Sequence, residues 1–201
     1  PELREKVGKR YGKRKEEILF TCGTQEANFL TYLSILDRDS HTIVVTPTYQ
    51  ALRSVPTAFG EVENVWLKPP KWELEIEKIQ EAVKENTELI VLNNPNNPTG
   101  RYHPEKKVRA LIDIAEDNDA YLQCDEVYRL LSEDPIPTVA SMSERGISTT
   151  SLTKSYGLAG TRFGWIAGPQ ELIDKAWKWK DYTTISPSVF GQHIARQVLG
   201  E

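Results

Sequence analysis

Residues 88–100 read ELIVLNNPNNPTG, an apolar run that ends abruptly in asparagine, proline and glycine. The four apolar residues Leu89–Leu92 are typical of a strand that is buried on both faces. The polar residues after them predict a loop. Pro104 then begins a helix whose inner face is predicted to be Val108, Leu111, Ile112 and Ala115. A strand, a loop and a helix in this order form the repeating unit of an α/β domain.

The alternation of strand and helix continues in both directions from this stretch. Further strands are predicted at Glu17–Cys22, Thr42–Thr46, Val62–Leu67, Ala120–Cys124, Ile147–Leu152 and Arg162–Ala167. Helices are predicted at 2–11, Thr24–Leu36, after Pro47, at Glu75–Glu85, and near 170–180 and 188–199. This order predicts an α/β fold, a three-layer α/β/α sandwich with a mostly parallel mixed sheet.

The composition is that of a globular protein of 201 residues, with 39% hydrophobic and 27% charged residues and a net charge of −4. This length predicts one domain over 1–201. The mild acidity and the lack of a basic block argue against nucleic-acid binding, and the apolar runs are too short for a membrane span. No secretion leader opens the chain, and the widely separated Cys22 and Cys124 are typical of reduced thiols. Together these features predict a cytoplasmic protein.

Ligands of open α/β sheets bind beyond the carboxyl ends of the strands, so the residues that follow each strand are candidates for the site. Taken singly, these residues have ordinary interpretations: a turn glycine, a helix-capping threonine or aspartate, a surface lysine. The candidates are Gly23, Thr24, Gln25, Asn97, Asp125, Tyr128, Ser151, Lys154 and Arg162.

The combination of these side chains suits one cofactor, pyridoxal phosphate (PLP). This cofactor needs a lysine amine to form a Schiff base and a carboxylate that keeps its pyridine nitrogen protonated. It also needs donors to the ring oxygen, and backbone amides with an arginine for the phosphate.

Three segments carry a resemblance to a known family: Asn93–Gly100 (NNPNNPTG), Asp125–Tyr128 (DEVY) and Ser151–Trp165 (SLTKSYGLAGTRFGW). In this order and at this spacing they resemble the aminotransferase class I/II family, the aspartate-aminotransferase-like enzymes of fold type I that use PLP. The resemblance spans nearly the whole chain and implies the large cofactor-binding domain of that family.

The resemblance implies a role for each matched residue. Lys154 is implied to be the Schiff-base lysine and general base, with a pKa that burial and the pyridinium lower. Asp125 is implied to pair with the pyridine nitrogen, and Tyr128 and Asn97 to donate to the ring oxygen.

The remaining matched residues are implied to hold the phosphate and the ring. Arg162 and Ser151 resemble phosphate ligands, together with Gly23, Thr24 and Gln25 at a helix N-terminus. Tyr49 resembles the aromatic residue that stacks on the ring, although a partly buried core tyrosine is an equally ordinary interpretation. Thr153 replaces a serine that the family often has before the lysine, and it retains a hydroxyl.

Family members are roughly twice this length, with an N-terminal arm and a C-terminal small domain that holds the arginine for the substrate carboxylate. The chain begins at Pro1 rather than Met. We therefore expect a fragment or an engineered isolated domain in preference to a natural minimal form, with the arm and the small domain absent.

Two classes of function follow. The first is a PLP-dependent aminotransferase acting on amino acids and keto acids, with activity weakened by the missing segments. The second is a non-catalytic or minimal PLP-binding domain. A PLP-dependent β-lyase, decarboxylase or racemase is a further alternative, because these reactions share the fold and the ligands. The resemblance also implies a homodimer.

Other conspicuous residues have no role in this scheme. Trp177 and Trp179 in a charged helix mark either a partner surface or a mixture of core and rim. His41, His103 and His193 lack metal-ligand spacing, so no metal site is predicted.

Overall fold

The computed structural model describes residues 2–200, which form a seven-stranded sheet between two layers of helices. The strands are β1 (Ile18–Thr21), β2 (His41–Thr46), β3 (Glu61–Trp66), β4 (Thr87–Asn93), β5 (Tyr121–Asp125), β6 (Gly146–Ser151) and β7 (Gly164–Ala167). The helices are α1 (Glu2–Arg10), α2 (Thr24–Ile35), α3 (Gln50–Ser54), α4 (Ile76–Glu81), α5 (Glu105–Asp117), α6 (Val139–Met142), α7 (Gln170–Lys180) and α8 (Val189–Leu199). The predicted three-layer sandwich is confirmed.

The strands lie in the order β1-β7-β6-β5-β4-β2-β3. The pairs from β3 through β6 are parallel, whereas β7 is antiparallel to both β1 and β6. The sheet is therefore mixed and mostly parallel, as predicted. Every strand except β7 runs in the same direction, so their carboxyl ends meet at one edge of the sheet.

The two faces of the sheet are covered by different helices. Ile43 and Val45 of β2 pack in the cluster that includes α4 and α5, whereas Val44 between them packs against Leu52 of α3. This alternation is the strand period of two. On the face that carries Val44, α2 and α7 pack together over β1, β6 and β7. Among the described residues, none of the helices has the length and apolarity that crossing a bilayer requires.

Three local features differ from the sequence prediction. Helix α4 ends at Glu81 instead of Glu85, because the Lys84 backbone N–H donates to the Thr87 hydroxyl at 2.8 Å and the chain turns toward β4. Strand β7 begins at Gly164, since Arg162 adopts a left-handed conformation with φ of 47°. The short helix α6 was not predicted, although Thr138 caps it by accepting a hydrogen bond from the Ser141 N–H.

Candidate active site

The edge of the sheet where the parallel strands end carries an open cavity of about 190 Å³. The loops after β1, β2, β4, β5 and β6 converge on it, and the segment before β7 closes one end. The sequence-predicted residues that line the cavity are Thr24, Gln25, Tyr49, Asn97, Asp125, Tyr128, Ser151, Thr153, Lys154 and Arg162. Gly23 is the remaining predicted residue, and it lies beside the cavity against the Arg162 guanidinium.

Two glycines make room for a close approach at one end of the cavity. Gly23 has a φ of 87°, and a Cβ atom there would lie 2.6 Å from Nη2 of Arg162. A Cβ atom at Gly164 would lie 2.9 Å from the Gly23 Cα. Only glycine fits at both positions, so the β1–α2 loop packs directly on the start of β7 and beneath the arginine.

The same end of the cavity collects hydroxyl groups at the start of α2. Thr24 was a candidate helix cap, and this interpretation is wrong: Gly23 is the cap residue, and Thr24 is the first helical residue. The Thr24 hydroxyl instead donates to Oγ of Ser151 at 2.9 Å. The first N–H groups of a helix have no partner within it and carry a partial positive charge. With Arg162 they make this end suited to an anion.

A buried carboxylate also lines the cavity. Asp125 is only 4% exposed. Its Oδ1 accepts the Val127 backbone N–H at 3.1 Å, and its Oδ2 accepts from Nδ2 of Asn28 at 3.0 Å. Burial raises the pKa of Asp125 to about 6, against the opposing effect of these two hydrogen bonds. The group is therefore largely ionised at pH 7 and gains from a cation placed before it.

Asn28 lines the cavity and was missed by the sequence analysis. Its Oδ1 accepts from the Thr149 hydroxyl at 2.6 Å and from Nε2 of Gln123 at 2.8 Å. These two donors orient the amide so that its nitrogen faces Asp125. One feature of the sequence could have indicated Asn28: it is a polar residue on the apolar, buried face of α2. In the structure this residue lies against the carboxyl end of β5.

The asparagine-rich loop after β4 is tied to the same strand end. Asn93 donates through Nδ2 to the backbone carbonyl of Asp125 at 2.9 Å, and its Oδ1 accepts the Asn97 N–H at 2.7 Å. Asn93 was quoted within a motif but not singled out as a site residue. It fixes the position of Asn97 at the cavity wall relative to Asp125.

Lys154 follows β6 in a turn whose backbone is closed by a hydrogen bond from the Gly157 N–H to the Lys154 carbonyl at 3.1 Å. Its Nζ lies 5.8 Å from the centroid of the Tyr128 ring, a cation–π contact. The expected burial of Lys154 is wrong: the residue is exposed, although it lines the cavity.

Tyr49 lines the cavity and is 46% exposed. The interpretation of Tyr49 as a core tyrosine is therefore wrong. It precedes α3, and the cavity wall beside it is continued by the β4–α5 loop, because Nδ2 of Asn96 donates to the Pro47 carbonyl at 3.0 Å.

A cavity flanked by a lysine, a buried carboxylate and an anion-binding end agrees with the comparison to known families. The family model for aminotransferase class I and II matches residues 1–201. The chain belongs to this family.

Individual aminotransferases are similar to the chain over almost its whole length. The probable aspartate aminotransferase of Methanocaldococcus jannaschii is 28% identical over 99% of this chain. Among solved structures, a PLP-dependent aminotransferase from Streptococcus suis is 34% identical with a TM-score of 0.92 over 98% of this chain and 54% of that chain. A mutant of Thermus thermophilus aspartate aminotransferase has a TM-score of 0.94 at 28% identity and covers 99% of this chain and 55% of that chain.

The chain spans about half the length of the curated relatives it matches, with 56% of the Methanocaldococcus jannaschii protein covered. The family members that match share the fold with this chain, a mixed sheet with flanking helices.

A larger cavity of about 650 Å³ lies between α1, α7 and α8. Among residues 2–200 its lining includes the cationic side chains of Arg4, Lys15, Lys180 and Arg196 together with apolar side chains, but no carboxylate. The lysine, the buried carboxylate and the anion-binding end described above all lie at the smaller cavity.

The other conspicuous residues lie away from the candidate site. Trp177 and Trp179 are 44% and 45% exposed, and the Arg4 guanidinium lies 4.9 Å from the Trp177 ring centroid. His41 and His103 are buried. Within residues 2–200 no three histidine, cysteine or acidic side chains lie together as metal ligands.

Proposed function

We propose that the chain binds PLP in the cavity at the sheet edge, with Lys154 as the residue that bonds to its aldehyde. We further propose that the protein is an aminotransferase acting on amino acids and keto acids. The observation that carries this proposal is the gathering of a lysine amine, a buried carboxylate and an anion-binding end around one cavity. Family membership supports the same conclusion.

The side chains present fit the cofactor. Arg162, the Ser151 and Thr24 hydroxyls and the start of α2 offer donors to a phosphate. The contact between Gly23 and the Arg162 guanidinium leaves no side chain between the loop and the arginine. Tyr49, on the exposed side of the cavity, offers an aromatic face for a ring.

Lys154 supplies the reacting amine. As a neutral amine it would be a nucleophile toward the cofactor aldehyde, and its free Nζ would move a proton to and from the substrate Cα. The contact with the Tyr128 ring holds Nζ over one side of the cavity. The bound cofactor supplies an electron sink for the pair left at Cα.

Asp125 and the polar groups near it set the charge of the site. The ionised carboxylate favours a proton on a pyridine nitrogen, and Asn28 and the Val127 N–H keep its two oxygens in place. Tyr128 and Asn97 supply donors to a ring oxygen from the cavity wall.

We also propose a homodimer and a cytoplasmic location. The dimer is supported by exposed apolar side chains around the connection from α7 to α8, namely Tyr182, Ile185, Val189 and Phe190. Light scattering during size-exclusion chromatography at micromolar concentration is expected to give twice the mass of one chain, and a monomer mass counts against the dimer.

The cytoplasmic location is supported by the free thiols of Cys22 and Cys124.

The reaction is tested by supplying the PLP-loaded protein with a panel of amino acids and identifying the products by mass spectrometry. We expect keto acids, formed at least about tenfold more slowly by Asp125→Asn, because the variant loses the charge that stabilises the protonated ring nitrogen. Asp113→Asn, an exposed change on α5, is the matched control. Carbon dioxide, elimination products or racemised amino acid instead of keto acid would overturn transamination, and an unchanged rate in Asp125→Asn would overturn the role of Asp125.

A further inference from the structure

A buried ion pair is hydrogen-bonded to the loop at the anion-binding end of the cavity. Lys180, the last residue of α7, places Nζ 3.0 Å from Oε2 of Glu26 in the first turn of α2. The two side chains are only 3% and 9% exposed. Lysine is rarely buried without a charged partner, and burying this one requires the carboxylate of Glu26.

The Glu26 carboxylate is fully occupied by the protein. Its Oε2 also accepts the backbone N–H of Cys22 at 2.6 Å, and its Oε1 accepts from the hydroxyls of Thr183 at 2.7 Å and Thr184 at 2.6 Å. Burial alone would raise the pKa of Glu26, but the hydrogen bonds from Cys22, Thr184, Thr183 and Lys180 outweigh it and lower the pKa. The group is therefore a carboxylate at neutral pH, and no oxygen is left for a ligand.

This carboxylate stands close to the place where a phosphate is expected. Glu26 accepts a hydrogen bond from the backbone N–H of Cys22, the residue before Gly23. Glu26 also directly follows Thr24 and Gln25, which line the cavity. A negative charge behind this loop repels an anion in front of it, and the protein interior screens such a repulsion poorly. The Glu26 carboxylate thus stabilises the loop through its hydrogen bond to Cys22, but its negative charge opposes the binding of a phosphate.

We propose that Lys180 is a positioning residue that balances the charge of Glu26, so that Glu26 holds the Cys22–Thr24 loop without repelling the cofactor phosphate. The inference rests on the proposed function, since it concerns the phosphate end of the same cavity. It assigns to α7 a part in selecting a phosphorylated cofactor over its unphosphorylated form. Loss of a purely mechanical brace between α7 and α2 would lower the preference for PLP in variants of either residue, whereas charge balance predicts opposite changes for the loss of Lys180 and the loss of the Glu26 charge.

The test compares the dissociation constants of PLP and pyridoxal, which lacks the phosphate, by equilibrium titration of the purified chain. We expect Lys180→Met to lower the preference for PLP by about tenfold, the factor that corresponds to about 1.4 kcal/mol. Lys178→Met removes the same charge from an exposed position of α7 and is expected to leave the preference unchanged. An unchanged preference in Lys180→Met overturns the proposal.

Two further variants separate charge from folding. Glu26→Gln keeps an oxygen acceptor for the loop and removes the negative charge, so it is expected to raise the preference for PLP even if Lys180→Met does not fold. The double variant Glu26→Gln with Lys180→Met is expected to return to the wild-type preference. A fall in preference in either variant overturns the proposal. A wild-type chain that binds PLP no better than pyridoxal contradicts the proposed cofactor site itself.

Discussion

Asp125 and Asn28 show what can and cannot be predicted for a single residue. Asp125 was predicted because it follows a buried strand and because DEVY matches a family motif. Asn28 lies in the second turn of α2. The sequence around it does not show which residue its amide will contact. The contact between Asn28 and Asp125 arises only when α2 packs over the end of β5. A residue such as Asn28, which acts by orienting another site residue, therefore cannot be predicted from the sequence alone.

Removal of the Asn28 amide is expected to raise the pKa of Asp125. A hydrogen bond donated to a carboxylate favours its ionised form, and its loss in Asn28→Ala leaves burial with less opposition. We expect the pKa to rise above about 6 by about one unit, which corresponds to about 1.4 kcal/mol. Carbon-13 NMR titration of labelled aspartates measures it.

Asn118→Ala is the control for this titration, because Asn118 donates to the Ile114 carbonyl at the end of α5 and not to an acid. A pKa of Asp125 that stays constant or falls in Asn28→Ala would show that Asn28 does not stabilise the carboxylate.

At the scale of elements, hydrophobic periodicity located all seven strands to within two residues of their ends. It could not show that β7 runs against its neighbours, because a strand of four residues carries no local signal for the direction of its partners. The direction matters for the site, since it brings Gly164 against Gly23 and Arg162 over the β1–α2 loop.

Gly23→Ala is expected to weaken PLP binding at least about tenfold. Both the left-handed φ of 87° and the collision of a Cβ with Arg162 act at this position, and together they displace the loop from the arginine. Gly12→Ala separates these causes, because Gly12 has a φ of 62° and open space around its Cα. We expect Gly12→Ala to lose about 1 kcal/mol of stability with unchanged affinity, measured by denaturant unfolding and PLP titration. Equal affinities for the two variants would contradict the role of the close approach.

Glu126 joins β5 to α6. Its Oε1 accepts the Val139 N–H at 2.8 Å and the Ser148 hydroxyl at 3.0 Å, and its Oε2 is buried without a partner among the described residues. Burial raises the pKa of Glu126 from 4.5 to about 7. The unfolded chain therefore releases this proton at lower pH than the folded chain does.

This shift predicts a pH-dependent effect of Glu126→Gln. Between pH 4.5 and 7 the folded state binds more protons at Glu126, so the group's contribution to stability falls as pH rises. The variant lacks this loss. We therefore expect the free energy of unfolding of the variant, relative to that of wild type, to rise by about 3 kcal/mol from pH 4.5 to pH 7. Denaturant unfolding at several pH values measures the gain. Glu133→Gln, which removes one carboxyl group at an exposed position, is the control. If the difference in the free energy of unfolding between Glu126→Gln and wild type were the same at every pH, the raised pKa of Glu126 would be contradicted.

At the scale of the whole molecule, candidate site residues spread from Gly23 to Arg162 meet because parallel strands end at one edge of the sheet. The fold class was predictable from the alternation of strands and helices, and the position of the site followed from the fold class. The openness of the cavity was not predictable. Lys154 was expected to be buried and is exposed, because burial depends on what covers a turn and not on the turn's own sequence.

The central claim is that Lys154 forms the covalent bond to PLP. The most direct measurement records the absorbance spectrum of the chain mixed with PLP, followed by borohydride reduction and peptide mass spectrometry. We expect the absorbance band of lysine-bound PLP in wild type and in Lys178→Ala, with the added mass on Lys154, and loss of both in Lys154→Ala. The absence of the band in wild type, or its persistence in Lys154→Ala, would contradict the claim.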